Sequence, residues 1–287
     1  MNDYKIFIDL SADIDGAYVK DNNIGFVPMQ YQIGDETKIS SFVESDEVMK
    51  KFYQAMKNGL VTSTSQITPF KYVEFFTPFC EEGIDILYLP LSSGLSQTYS
   101  SMKMAKEELN NKYPNVKVEV VDTLSATAGI AVLAKFAVDN KNKGLSIEEN
   151  AKAISEMVSK VRVSFLVENL TYLKRGGRIK ASTAFIAGAL NIKPVLIVNG
   201  EGKLETIAKK HGVKKAASYL VEKFNNEYDP NFKTIYISHA DCIDTANYIK
   251  EKLEETHKDL EIKIVMISPI IGAHVGPGMC AICNFAK

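Results

Sequence analysis

Ile84–Leu109, with the sequence IDILYLPLSSGLSQTYSSMKMAKEEL, decides the fold class. Its first half is a short apolar run that follows Gly83 and is rich in β-forming residues, which is typical of a buried parallel strand. In its second half Met102, Ala105 and Leu109 recur at helical spacing, with charged residues between them. A strand that continues through a turn into a helix is the repeating unit of an open α/β sheet.

The turn between the two halves contains Ser92, Ser93, Gly94 and Ser96. Free N–H groups and the dipole at a helix N-terminus favour a bound anion. Ligands of open α/β sheets also bind beyond the carboxyl ends of the strands, where this turn lies. Serines at such a turn serve equally well as helix caps, so the pattern is consistent with either an anion site or a cap.

Outward from this stretch, strand and helix patterns alternate along the first 160 residues, beginning with a strand at Tyr4–Asp9. Ser45, Thr68 and Ser146 are predicted to start helices, and the hydroxyl-rich Thr62–Gln66 is interpreted as a loop. Alternation predicts a parallel sheet covered on both faces. After Val161 the rhythm changes, and Gly200–Gly202 indicates a hairpin. We therefore predict an α/β fold of two domains, a parallel-sheet domain at residues 1–160 and a mixed α/β domain at residues 161–287.

The composition of the chain excludes several function classes. Of 287 residues, 46% are hydrophobic and 24% charged, as in an ordinary globular protein, and the net charge of −1 gives no electrostatic reason to bind nucleic acid. No apolar run is long enough to span a bilayer, and the first residues lack the pattern of a signal peptide. We expect a cytoplasmic protein with at most transient membrane contact.

Sequence signatures of common cofactor and metal sites are absent. No glycine-rich phosphate loop, nucleophile elbow or cluster of metal ligands occurs in the chain. Cys280 and Cys283 have the spacing of a redox or zinc pair, but they lie in a predicted strand without a second pair of ligands, which favours small buried hydrophobic residues. The expectation is a protein that holds an anion without turning it over, and that uses no cofactor or metal.

The motif LKRGGRI at 173–179 is unusual within this chain. Only three arginines occur among 34 basic residues, and two of them, Arg175 and Arg178, flank Gly176 and Gly177. Arginine offers five donors and a permanent charge to an anion, while glycine allows the backbone to approach closely. The alternative interpretation is a helix end with incidental arginines.

His274 lies in the apolar, glycine-rich segment IIGAHVGPGM at 270–279, which we interpret as a loop after a strand. A histidine in such surroundings can donate a hydrogen bond to a carboxylate. A packed neutral imidazole is the alternative.

Taken together, these motifs resemble the DegV family, bacterial fatty-acid-binding proteins that include the binding subunit of fatty acid kinase. The resemblance extends nearly from end to end of the chain. It rests on the Asp-x-Ser-Ala-Asp motif at 9–13, Thr-Ser-Gln at 64–66, SSGLS at 92–96, LKRGGRI at 173–179, Ile-Lys-Pro at 192–194 and Gly-Ala-His at 272–274. Ile67 and Gln97 depart from it, since the family commonly has proline and glycine there.

The resemblance implies two α/β domains with a long-chain fatty acid in a tunnel between them. It also implies that hydroxyls of Ser63, Thr64 and Ser93 hold the carboxylate, with His274 and Arg178 close by. The protein would then be a non-catalytic carrier that presents the acid to a separate fatty acid kinase catalytic subunit. The basic stretch at 209–215 is a candidate docking surface for that subunit, or simply a solvated helix start.

Two rival functions remain open from the sequence. One is a serine hydrolase of acyl esters that uses Ser93 and His274, although the sequence provides no assigned acid. The other is an interaction module in which the polar loops are structural.

Overall fold

The computed structural model describes residues 4–180 and 191–287 and contains three sheets in this part of the chain. The first is entirely parallel, with strand order β2-β1-β6-β7. Its strands are β1 (Tyr4–Asp9), β2 (Gly25–Val27), β6 (Asp85–Leu89) and β7 (Val118–Val120). A small antiparallel sheet has the order β4-β3-β5, from β3 (Met29–Ile33), β4 (Glu36–Ser40) and β5 (Thr62–Ser65).

The third sheet is mixed and has the order β10-β9-β8-β13-β11-β12. Its strands are β8 (Val161–Leu166), β9 (Ile192–Val198), β10 (Leu204–His211), β11 (Thr234–His239), β12 (Glu261–Met266) and β13 (Cys280–Phe285). The predicted hairpin connects β9 to β10, which are antiparallel. Strand β13 lies in the middle of the sheet and is antiparallel to both neighbours.

Helices cover these sheets. They are α1 (Gly16–Asp21), α2 (Asp46–Lys57), α3 (Pro69–Glu81), α4 (Thr98–Lys112), α5 (Ala128–Asn142), α6 (Ile147–Val158), α7 (Thr171–Arg175), α8 (Val213–Glu227), α9 (Ile243–Thr256) and α10 (Pro269–Val275). Local signals set several of their starts. Ser45 and Thr68 accept backbone N–H groups at the starts of α2 and α3, and Ser146 with Glu149 forms a capping box on α6.

The strand–turn–helix segment Ile84–Leu109 folds as predicted. Strand β6 is buried along its whole length and pairs in parallel with β1 and β7, and α4 follows the serine turn. The two-domain α/β fold, with an N-terminal parallel sheet and a C-terminal mixed sheet, is confirmed. The first two sheets come from residues before 121 and the third from residues after 160.

Two segments interpreted as loops are regular structure. Thr62–Gln66 is largely strand β5, because its alternating Thr-Ser pattern pairs with β3, Thr64 opposite Tyr31. The His274 segment contains α10, because Ser268 and Pro269 provide an extended first residue and a proline at the first helical position. Helix α10 ends at Gly276, whose φ of 76° is left-handed.

Helix α5 and several hydrogen bonds join the two halves of the molecule. Helix α5 packs against β1 of the parallel sheet and against β8, β11 and β13 of the mixed sheet. The Tyr53 hydroxyl donates to the carbonyl of Ile267 at 2.8 Å, and the Ser268 hydroxyl donates to the carbonyl of Leu10 at 2.7 Å. The N-terminal half therefore holds α10 at its start.

The two cysteines of the CxxC pair face opposite sides of β13. Both thiols are buried, Cys280 in the core beneath α8 and α9 and Cys283 in the core that reaches α5. Residues three apart on a strand point in opposite directions. The pair cannot bind one metal ion or close a disulfide, so the interpretation as buried hydrophobic residues is confirmed.

Across the described ranges, every helix is too short or too polar to cross a lipid bilayer.

Candidate functional site

A cavity of about 700 Å³, counting its open mouth, lies between the two halves of the molecule. Most of its wall is apolar and comes from both halves, including Leu91, Ala126, Phe165, Val198, Ile271 and Met279. Its composition is that of a small-molecule site, in which a few polar groups orient a mostly apolar ligand.

Thr64 and His274 meet at the wall of this cavity. The alternation of β5 turns Thr62 and Thr64 toward α10, where the Thr62 hydroxyl donates to the carbonyl of Ala273 at 3.3 Å. Oγ1 of Thr64 then lies 2.8 Å from Nε2 of His274. The sequence pointed to both residues, and the strand register brings them together.

His274 is a neutral imidazole in this environment. Burial, reinforced by the charges of Arg178 and Arg175, lowers its pKa to about 4. Its Nδ1 is buried without a hydrogen-bond partner in the described ranges. A lone pair at Nδ1 suits these positive surroundings better than an N–H, so the proton belongs on Nε2 and is donated to Thr64. The Thr64 hydroxyl then keeps its own proton for another acceptor.

Arg178 provides a cation at the same cavity. Its Nε donates to the carbonyl of Leu95 at 3.1 Å and its Nη1 donates to the carbonyl of Gly176. These bonds use two of its five N–H donors. The side chain is half-buried, burial lowers its pKa, and no carboxylate pairs with it within residues 4–180 and 191–287. A half-buried cation that has donors to spare and lacks a counter-ion suits an anionic ligand.

Gly176 allows the LKRGGRI segment to lie against His274. A Cβ at this position would stand 2.4 Å from Nδ1 of His274. The glycine is also the C-cap of α7, so the helix-end interpretation is correct at the backbone level. The arginines are not incidental, because Arg178 lines the cavity and Nη2 of Arg175 lies 3.4 Å from Oγ1 of Thr62.

The serine turn after β6 satisfies its own polar groups. Oγ of Ser92 accepts from the N–H of Gly94 and donates to the carbonyl of Gly202, while the N–H of Ser93 donates to Asp122. These contacts favour the structural interpretation of Ser92, whereas for Ser93 they involve the backbone N–H alone. The serine of this turn that lines the cavity is Ser96.

Two of the predicted contact residues lie away from the cavity wall. Ser63 is exposed and its hydroxyl donates to Oε1 of Gln32 at 2.9 Å, on the opposite face of β5 from Thr64. Ser93 is exposed and is absent from the lining. The alternating register of β5 was the signal that could have distinguished Ser63 from Thr64. Ser96 carried no such signal, since three serines share one turn.

The geometry does not assemble a Ser93–His274 pair. Nε2 of His274 bonds to Thr64, and within the described residues its Nδ1 lacks the acidic partner that would orient a general base.

Comparisons with known proteins identify the family. The sequence model of the family described as "Uncharacterised protein, DegV family" matches residues 3–287. A DegV domain-containing protein of Clostridium perfringens is 38% identical over 98% of this chain and 97% of its own. This chain belongs to the DegV family.

Solved structures of DegV proteins have the same fold. A Thermotoga maritima protein described as revealing a fatty acid binding function is 27% identical, with a TM-score of 0.82 over 100% of both chains. The Streptococcus pneumoniae fatty acid kinase B3 protein, solved loaded with linoleic acid, is 22% identical, with a TM-score of 0.85 over 99% of this chain and 100% of its own. The second likeness shows the DegV fold alone.

Proposed function

We propose that the cavity binds a long-chain fatty acid, with its carboxylate at Thr64, Arg178 and His274 and its acyl chain against the apolar wall. The observation that carries this proposal is the Arg178 guanidinium, half-buried in an apolar cavity without a carboxylate partner in the described chain. The fatty acid binding ascribed to the Thermotoga maritima relative supports it.

The chemistry of a fatty acid suits both parts of the cavity. Each methylene moved from water to an apolar wall contributes about 0.8 kcal/mol. Thr64, with its hydroxyl proton available, and Arg178 supply donors for the carboxylate, while the neutral His274 orients Thr64. Ser96 lines the same cavity, and its Oγ lies 2.7 Å from Oγ1 of Thr98.

Mass spectrometry of a solvent extract tests the proposal. The purified protein is denatured and extracted, and a C14–C20 fatty acid is expected at close to one per chain. Refolded or delipidated protein is then titrated with palmitate and oleate. An empty extract together with no uptake of either acid contradicts the proposal.

Three serine variants test the assignment of the head-group contacts. Ser96→Ala is expected to weaken palmitate binding, because Ser96 lines the cavity and its Oγ, which accepts the N–H of Thr98 at 3.2 Å, helps to fix this part of the wall. Ser93→Ala and Ser63→Ala test the contacts that the family resemblance implies. Weaker palmitate binding in Ser93→Ala, with unchanged binding in Ser96→Ala, would show that Ser93 contacts the ligand carboxylate and that Ser96 does not.

We further propose that the protein presents the bound acid to a separate fatty acid kinase subunit and performs no phosphoryl transfer itself. Phosphoryl transfer needs a phosphate cradle and a metal site, and the sequence contains no glycine-rich phosphate loop. The name of the Streptococcus pneumoniae protein with the same fold supports such a partner.

An ADP-release assay tests this division of labour. With ATP, magnesium and palmitate, the isolated protein is expected to form no ADP above background, and addition of the cognate kinase subunit is expected to produce it. Charge reversal at Lys209 and Lys210, at the end of β10, is expected to slow the coupled reaction at unchanged palmitate affinity. ADP formation by the isolated chain contradicts the division of labour.

A further inference from the structure

Asp13 is a buried carboxylate next to the cavity that the proposed binding site does not use. It belongs to the polar stretch that follows β1 and is only 7% exposed. Its Oδ2 accepts a hydrogen bond from Oγ1 of Thr127 at 2.6 Å, and its Oδ1 accepts one from the backbone N–H of Ser268 at 2.7 Å.

The two donors belong to two walls of the cavity. Thr127 precedes α5 and lines the cavity, and its φ of 50° is a conformation that β-branched residues rarely adopt. Ser268 is the N-cap of α10, the helix that carries His274. One carboxylate just after the first strand of the N-terminal half therefore fixes a strained wall residue and the helix of the proposed head-group site.

We propose that Asp13 is the positioning residue of the ligand site, holding α10 with His274, and Thr127, in the geometry that receives the ligand. The short hydrogen bonds that Asp13 accepts from Thr127 and Ser268 are directional. Because one carboxylate accepts both, it constrains Thr127 and the start of α10 together. The ligand-affinity part of this inference rests on the proposed function.

Protonation gives this inference a spectroscopic readout. Burial raises the pKa of Asp13 to about 7, against hydrogen bonds from Thr127 and Ser268 that lower it. His274 has a pKa of about 4 and stays neutral in that range. A change in the His274 signals near pH 7 would therefore report Asp13.

The other titratable groups that face Asp13 are Asp9, Tyr53 and Cys283. Burial raises the pKa of the Tyr53 hydroxyl well above its usual value and the pKa of Cys283 to about 12, so both are neutral near pH 7. Burial also raises the pKa of Asp9, whose carboxylate bonds to Ser11, Leu91 and Tyr88. An Asp9 variant is therefore needed to distinguish the two carboxyls.

The first experiment follows the His274 imidazole by NMR between pH 5.5 and 8.5 in the unliganded full-length protein. A chemical-shift step with a midpoint near pH 7 is expected in the wild type and is expected to vanish in Asp13→Asn. In Asp9→Asn the step is expected to persist at a lower pH, because a repelling charge has been removed. A step that remains in Asp13→Asn, or that disappears only in Asp9→Asn, overturns the inference.

The second experiment measures palmitate affinity. Asp13→Ala is expected to bind at least about tenfold more weakly, as expected when charged hydrogen bonds that hold a site are lost. Asp13→Asn is expected to restore most of the affinity, because its amide oxygen accepts from Ser268 and its amide nitrogen donates to Thr127. Asp85→Ala is the matched control, since Asp85 is also buried and accepts the N–H of Lys117 at 2.7 Å, at the far end of the parallel sheet.

The outcomes separate this inference from the proposed function. Wild-type protein that binds no palmitate contradicts the proposed function and leaves the NMR experiment to decide the role of Asp13. A folded Asp13→Ala with wild-type affinity and unshifted His274 signals overturns the inference alone. If Asp13→Ala does not fold, the presence or absence of the His274 chemical-shift step in Asp13→Asn decides the role of Asp13.

Discussion

His274 stays neutral because its surroundings are both buried and positive. Its pKa of about 4 reflects burial first and then Arg178 and Arg175. A ligand carboxylate would offset the two arginines, so we expect the pKa of His274 to rise when palmitate is bound. NMR titration of the imidazole in the unliganded and loaded protein measures both values. An unchanged pKa of His274 in the loaded protein would mean that the ligand carboxylate does not bind near this residue.

Thr64 is predicted to contribute directly to ligand affinity. Thr64→Val keeps the shape of the side chain and removes the hydroxyl that accepts from His274, so palmitate binding should weaken by about 1–3 kcal/mol. Thr37→Val on the exposed strand β4 of the same sheet is the control and should bind like the wild type. Calorimetric titration checks both. Equal affinities in the two variants would exclude the Thr64 hydroxyl as a contact.

At this scale the residues named from the sequence are brought together only in part. Arg178 and His274 were singled out by their chemistry and Thr64 by the family resemblance, and all three meet at the cavity. Ser63 does not, because a one-residue step on a strand reverses the side chain, and Ser93 does not, because it lies at an exposed position of its turn. Neither effect can be read from residue type.

The segment from α7 to Arg178 depends on a close contact with α10. In Gly176→Ala the new Cβ would lie 2.4 Å from the His274 ring, so the segment or the ring must move. We expect a loss of about 1–3 kcal/mol in unfolding free energy, with weaker palmitate binding. Gly200→Ala, where nothing lies within 4 Å, should change stability by about 0.5 kcal/mol or less. Denaturant unfolding and palmitate titration of both variants provide the comparison.

Elements with strong local signals were predictable, and elements defined by their partners were not. Caps at Ser45, Thr68 and Ser146 marked three helix starts correctly. The polar strand β5 was missed because its strand conformation comes from pairing with β3, and the short α10 because glycines obscured its helical pattern. Tertiary context overrides residue preference in such segments.

For the whole molecule, a ligand held between the halves should stabilise both against unfolding. Palmitate at about 100 times its dissociation constant should add about 2.7 kcal/mol to the unfolding free energy. Differential scanning calorimetry should show a higher Tm, and methyl palmitate, which lacks the carboxylate, should give a smaller rise. Equal shifts of Tm with acid and ester would mean that the head-group site contributes nothing to ligand affinity.

The domain boundary at residue 160 stays a prediction.

The stability of the molecule should also depend on pH through Asp13. Its pKa is about 7 in the folded protein and 3.8 ordinarily, so the folded state binds the proton more tightly. Stability from this group is complete below pH 3.8 and is lost as pH rises to about 7. Denaturant unfolding should therefore show that the unfolding free energy of Asp13→Asn, relative to that of the wild type, is higher at pH 8 than at pH 5. A constant difference between the two proteins would contradict a raised pKa.

The central place of β13 in its sheet has a consequence for how the protein is made. Residues 280–285 are synthesised after every other described strand of the mixed sheet, yet β8 and β11 pair with each other only through them. The parallel sheet can form while the ribosome is still adding residues, because chains fold from the N-terminus as they emerge. The other half must wait until Phe285 has left the ribosome. The parallel sheet can therefore pair before the mixed sheet is complete, and the cavity between the two halves is assembled only after translation has passed this strand.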